Sequence, residues 1–255
     1  MKNCIQHKAK YVLDADIAKC FDRINHEVLL NKLNTKGKVR QQIKAWLKSG
    51  VIDQGVFTAT SEVTPQGGVI SPLLANIALH GLEKRIKQFA ETLPGRKRDN
   101  RDNLSLICYA DDFVVLHKDK AVIQRCREII SEWLAGIGLE LKPENPRVSH
   151  TLISELSEDG IAGFDFLGHH IQQFLAGKYT SSINPHGTIT GFNTLITPSK
   201  KASKAHQEEV RRLILKHRSS PQEALIKDLN PVIRGWTSYY TKSDAQSVGE
   251  LAKQD

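Results

Sequence analysis

Asp16, Asp111 and Asp112 are the residues of this 255-residue chain whose type and setting suit a defined chemistry. Asp16 ends an alternating apolar stretch, and Asp111-Asp112 falls between two apolar, β-prone runs where the chain must reverse. Aspartate in a tight turn usually serves local hydrogen bonding, and the pair alone would be read that way. A strand-borne carboxylate beside a carboxylate hairpin is a different matter, because together they offer the oxygen ligands that hard Mg²⁺ ions prefer. Two such ions about 3.5–4 Å apart would lower the pKa of an attacking hydroxyl and clamp a departing phosphate oxygen. The ions would also offset the repulsion among the carboxylates. The chemistry indicated is phosphoryl transfer.

Such side chains need a sheet to hold them. Residues 11–17, YVLDADI, alternate as a strand with Val12, Asp14 and Asp16 on one face. Residues 104–109 and 113–117 form a hairpin around Ala110-Asp111-Asp112. Helices are predicted from Asn25, a capping residue, to Leu33, and along the Val39, Ile43, Trp46, Leu47 stripe up to Gly50. Residues 55–63 read as extended. Ser71-Pro72 opens one helix predicted to run to Ala90, and residues 96–103, RKRDNRDN, read as a charged loop. Val122, Cys126, Ile129 and Trp133 mark an amphipathic helix that ends at Gly136 and Gly138. Short strands follow at 139–141, 147–153 and 164–174. Residues 177–198, rich in turn formers, read as a connector, which puts a boundary near Thr197. Beyond it, residues 199–217, a short segment after Pro221, and residues 231–241 capped by Asn230 read as helices. The fold class is α+β, with domains at 1–197 and 198–255.

Composition narrows the partners. The chain carries 36 Lys and Arg against 28 Asp and Glu, a formal net charge of +8 and a pI near 9.3, which favours nucleic acid. Seven cations against two carboxylates lie in residues 199–218, where Lys200, Lys201, Lys204, Arg211 and Arg212 are candidate phosphate ligands. The bland alternative is a solvated helix face with Glu208 and Arg212 as an i,i+4 pair. No apolar run approaches the ~18 residues of a membrane span, and the polar first twenty residues do not read as a secretion signal, so the expectation is a cytoplasmic protein. Four scattered cysteines show neither a disulfide framework nor zinc spacing and read as reduced thiols.

Three segments in order carry a family resemblance. Asp16-Ile17-Ala18-Lys19-Cys20-Phe21-Asp22, Pro65-Gln66-Gly67-Gly68-Val69-Ile70-Ser71-Pro72 and Tyr109-Ala110-Asp111-Asp112 resemble motifs A, B and C of reverse transcriptases, of the group II intron-encoded kind. Phe164-Asp165-Phe166-Leu167-Gly168 is similar to that family's primer-grip segment. Ile233-Arg234-Gly235-Trp236, followed by Tyr239-Tyr240, is similar to its maturase domain. The resemblance implies a palm of antiparallel strands backed by helices, then a truncated helical thumb. It implies Asp16, Asp111 and Asp112 as catalytic metal ligands for two Mg²⁺ ions, with Asp14 an accessory surface charge. It makes Phe21 a steric gate against a 2′-hydroxyl, and Ile17, Gln66 and Gly67 the nucleotide pocket. The partners it implies are an RNA template with a DNA primer, deoxynucleoside triphosphates and the group II intron RNA.

Two departures temper that expectation. Only ten residues precede Tyr11, so the basic fingers region is expected to be missing. Where the family places a motif D Lys as proton donor to pyrophosphate, this chain reads Pro143-Glu144-Asn145-Pro146-Arg147, and Asn145 cannot donate that proton. Arg147 is too weak an acid to replace it. The expected activity of the chain alone is therefore weak or nil. A rival reading is a non-catalytic RNA-binding remnant, with the basic helix and Trp236, Tyr239 and Tyr240 holding structured RNA. A palm-type cyclase leaves residues 65–72 and the Trp236 segment unexplained.

Overall fold

The computed structural model describes residues 5, 8–18, 24–48, 51–53, 56–58, 71–143, 146–176, 189 and 191–241. The chain forms two compact units, Lys10–Val148 and Lys2–Ala9 with Ser149–Asp255.

The first unit is built on strand β1 (Tyr11–Asp16), which pairs antiparallel with β5 (Asp112–His117), itself antiparallel to β4 (Ser105–Tyr109). With β6 (Arg147–His150) the sheet order is β4-β5-β1-β6. Between β1 and β4 the chain forms α1 (His26–Leu33), α2 (Gly37–Lys48), the short pair β2 (Val51–Asp53) and β3 (Val56–Thr58), α3 (Ser71–Leu79), α4 (Leu82–Ala90) and α5 (Lys97–Asn103). Helix α6 (Lys120–Ala135) follows β5. Alternation in the strands sends Leu13, Ala15, Phe113 and Val115 to one face, where they meet Leu29, Leu30 and the α6 stripe of Ile123, Cys126, Ile130 and Leu134. Each fully buried Leu or Ile there contributes about 1.5–3 kcal/mol. Asn25 caps α1, its Oδ1 accepting from the Glu27 and Val28 amides. Among the described residues no helix is long and apolar enough to cross a membrane.

Two expectations for this unit are corrected. The single helix of residues 72–90 is broken into α3 and α4 at Gly81, whose φ of +102° belongs to the left-handed region. Lys32 supports the break by donating to the carbonyl of Ala78, in the last turn of α3, and to that of His80 just beyond it. The charged loop of 96–103 contains a short helix, α5, because Asn100 Nδ2 donates to the Leu93 and Pro94 carbonyls and ties the approach to it. Expected Phe21, Gln66 and Gly67, and Asn145, lie outside the described residues.

The second unit carries a three-stranded sheet ordered β7 (Phe164–Phe166), β8 (His169–Leu175) and β9 (Phe192–Pro198), then α7 (Lys200–Lys216) and α8 (Gln222–Tyr240). The single strand expected over 164–174 is a hairpin instead. Leu167 and Gly168 at its turn both have positive φ, 50° and 74°, as a two-residue turn with the native strand twist requires. The expected connector of 177–198 ends in β9, which pairs with β8 along its full length, from His169↔Pro198 to Leu175↔Phe192. The two helices expected after Pro221 are one, with Pro231 inside α8. Pro231 is exposed, so the carbonyl it leaves without an amide partner can turn to water. Packing divides the chain at Val148–Ser149, well ahead of residue 197, because the β7–β9 sheet and the helices bind one another: Ser199 N donates to Gly168 O and Tyr240 Oη donates to the same carbonyl.

Candidate active site

At one end of the first unit's sheet, β4 turns into β5 through Ala110 and Asp111, with Tyr109 opposite Asp112. Ala110 holds a φ of +52°, a left-handed conformation that costs a non-glycine residue roughly 1–2 kcal/mol. Asp112 is the direct antiparallel partner of Asp16, so the two carboxyl groups lie on one face at the sheet's end. Asp112 donates a hydrogen bond to Asp16, and this, burial, and then the charges of Asp16, Asp111 and Asp14 push Asp112 up to about 7. Like charges so close cannot both ionise freely, so the pair shares a proton.

The same carboxylate has a second partner. Lys142 Nζ donates to Asp16 Oδ2 at 2.7 Å, and this bond, with the charges of Asp16, Asp111 and Asp112, raises the Lys142 ammonium above its ordinary range. Backbone pairing brings it there: Lys142 N donates to Asp16 O, Ala18 N donates to Glu140 O, and Leu141 bridges to Ile17. Lys142 was not anticipated. Its available signal was a lone cation three residues before Asn145, on the segment running up to β6.

The structure thus brings Asp16 and Asp112 into contact, with Asp111 close enough to act on the charge of both Asp112 and Lys142. Among the described residues no group of three or more His, Cys, Asp or Glu side chains stands as a ready metal cage. Ile17, expected beside the nucleotide, is 1% exposed with its side chain in the core, and offers its backbone N–H to Asp111 O.

On α7, Lys200, Lys201, Lys204 and Arg211 are exposed. Arg212 is held bidentately by Glu209, with Nη2 to Oε1 at 2.6 Å, while Glu208 lies 3.9 Å from Lys204. The expected Glu208–Arg212 pair is not formed, since the i,i+3 geometry suits Arg212 better. Two of the α8 aromatics are packed within their unit: Trp236 stacks on His206 with ring centroids 4.3 Å apart and lies 4.2 Å from Tyr240, which is 4% exposed. Tyr239 keeps a solvent face while its hydroxyl donates to Leu167 O. Packing, not stacking on bases, accounts for Trp236 and Tyr240.

An antiparallel sheet backed by helices, with paired carboxylates on a hairpin at its end, gives the α+β class expected from the sequence. The chain belongs to the reverse transcriptase (RNA-dependent DNA polymerase) family, whose model matches residues 1–171. The model of the group II intron maturase-specific domain matches residues 203–254. Protein YkfC of Escherichia coli is 30% identical over 198 residues, covering 67% of this chain and 49% of that protein. The group II intron-encoded protein LtrA of Lactococcus lactis is 32% identical over 144 residues, covering 55% of this chain and 23% of LtrA. The chain thus spans half or less of the length of these relatives. A solved apo telomerase from Candida tropicalis aligns at 16% identity and a TM-score of 0.47, over 64% of this chain and 34% of that one, too distant to bear on activity.

Proposed function

We propose that this chain carries the catalytic palm of an RNA-directed DNA polymerase of the group II intron kind, followed by a maturase-specific domain that holds intron RNA. What supports the first part is the direct apposition of Asp16 and Asp112 across β1 and β5, beside Asp111. The donor set suits Mg²⁺, because it consists of carboxylate oxygens whose mutual repulsion a hard cation relieves. Asp16, Asp111 and Asp112 would hold two such ions, which supply charge neutralisation for attack on a deoxynucleoside triphosphate. The sheet end fixes the carboxylates in place, so that a primer hydroxyl and a triphosphate meet in a defined orientation. The same reading puts a functional boundary near residue 197, distinct from the packing division at Val148–Ser149; segments matched at 1–171 and 203–254 are compatible with it.

The test is primer extension on an RNA template. Slow extension is expected that requires Mg²⁺ and vanishes in Asp111→Ala; because Asn145 occupies the proton donor's position, Asn145→Lys should speed it by about 10²-fold. A chain that extends nothing, even as Asn145→Lys, yet still binds intron RNA, would instead be a non-catalytic splicing factor. Asn145 and the Lys142–Asp16 ion pair are the observations that favour this second reading.

RNA binding is expected to weaken steeply with salt, because each phosphate neutralised releases condensed counterion. Replacing Lys200, Lys201 and Lys204 with Ala should reduce the slope of log affinity against log salt by roughly two to three units. Filter binding across a salt series measures it, and an unchanged slope would assign this end of α7 to ordinary solvent exposure.

A further inference from the structure

Lys142 stands out because its position is built rather than incidental. A lysine on a free surface finds a carboxylate by wandering, whereas here two backbone hydrogen bonds and the Ile17–Leu141 bridge carry the lysine's own segment alongside the end of β1. The ammonium then needs only its four-carbon stem to reach Asp16 Oδ2 at 2.7 Å. Its side chain is 45% exposed while that of Asp16 is 20% exposed, so the ammonium has water behind it and can withdraw without unfolding anything. Asp111 and Asp112 feel the same charge.

We infer that Lys142 is a tethered counter-ion of the carboxylate site, which holds Asp16 when no divalent cation is bound and must be displaced for one to bind there. This rests on the reading of Asp16, Asp111 and Asp112 as metal ligands. Lys142 is then a positioning residue that sets how much divalent cation the site needs. Without a cation it keeps two adjoining carboxylates from splaying; with one, its ammonium is released into the mouth of the site. The cation must compete with a group whose local concentration is fixed by the chain.

Mn²⁺ titration of the full chain, with free Mn²⁺ read by electron paramagnetic resonance, tests this without measuring catalysis. Lys142→Met is expected to bind Mn²⁺ about 5-fold more tightly, the scale of a partly exposed ion pair, while Lys142→Arg stays near the parent. In chelator the Met variant should melt below the parent, and saturating Mn²⁺ should close that gap. Lys142→Gln, polar but uncharged, serves as the second variant should Met misfold. Equal Mn²⁺ affinities in the parent and the uncharged variants, with binding still lost in Asp111→Asn, would overturn the role of Lys142 and leave the carboxylate site standing. No Mn²⁺ binding by any of these proteins would overturn both.

Discussion

At pH 8 in divalent-free buffer, Asp112→Asn is expected to melt about 2–8 °C above the parent chain, and in Mg²⁺ to have lost the parent's primer extension. Asp112 sits near 7 in the folded chain against an ordinary value of 3.8, chiefly because it donates to Asp16. Between those values the folded state holds a proton that the unfolded state has released, so stability falls as pH rises from about 4 to about 7 and stays reduced above. A full shift of this size would be worth several kcal/mol at 1.36 per unit, but Asp112 keeps contact with water, and screening leaves about 1–2 kcal/mol. Asparagine donates to Asp16 through its amide as the protonated acid does, and needs no proton, so the penalty disappears. It also cannot serve as an anionic ligand. Melting curves of both proteins from pH 4 to 8.5 should therefore diverge as pH rises; a constant offset would show that Asp112 does not carry the shared proton.

Gly163→Ala is expected to cost the second unit about 2–4 kcal/mol, combining left-handed strain with overpacking. Gly163 has a φ of +88°, and a Cβ there would stand 2.7 Å from the Ile171 carbonyl oxygen and 2.9 Å from Gln172 Cβ. That carbonyl belongs to β8, pinned between β7 and β9, so it cannot step aside. The residue's own amide is also committed, donating to His150 O. Gly160, with a φ of +70° but nothing within 4 Å of its would-be Cβ, is the control and should lose only about 1–2 kcal/mol as Ala. Urea unfolding followed by far-ultraviolet circular dichroism compares them. Equal losses would mean that the approach of Gly163 to β8 is unimportant.

What could be read from the sequence was whatever repeats locally. Alternation along residues 11–17 was enough to put Asp16 on a strand face, and the apolar runs around Asp111-Asp112 located the hairpin that meets it. The α6 stripe was equally plain, since its side chains recur at helical spacing and go to the core. Lys142 left no such trace: it lies 126 residues from Asp16, and the backbone pairing of residues 140–142 with the end of β1 makes them neighbours. Residues 222–240 misled in the other direction. Asn230-Pro231 looks like a helix start, yet the flanking turns pack against α7 well enough to carry the helix through the loss of one hydrogen bond. At 96–103 an abundance of charge suggested a loop, while Asn100 supplied the tertiary bonds that favour a helix.

The two tyrosine hydroxyls at the end of α8 grip successive carbonyls of one turn, Tyr239 that of Leu167 and Tyr240 that of Gly168. A helix end is stiff along its axis, and a two-residue turn between paired strands has little play of its own. Joined at two points, they behave as a lever with a locked pivot: a force that tilts the β7–β8 hairpin is delivered to the last turn of α8 and is not absorbed between them. The attitude of the last turn of α8 is therefore tied to that of a hairpin 72 residues earlier.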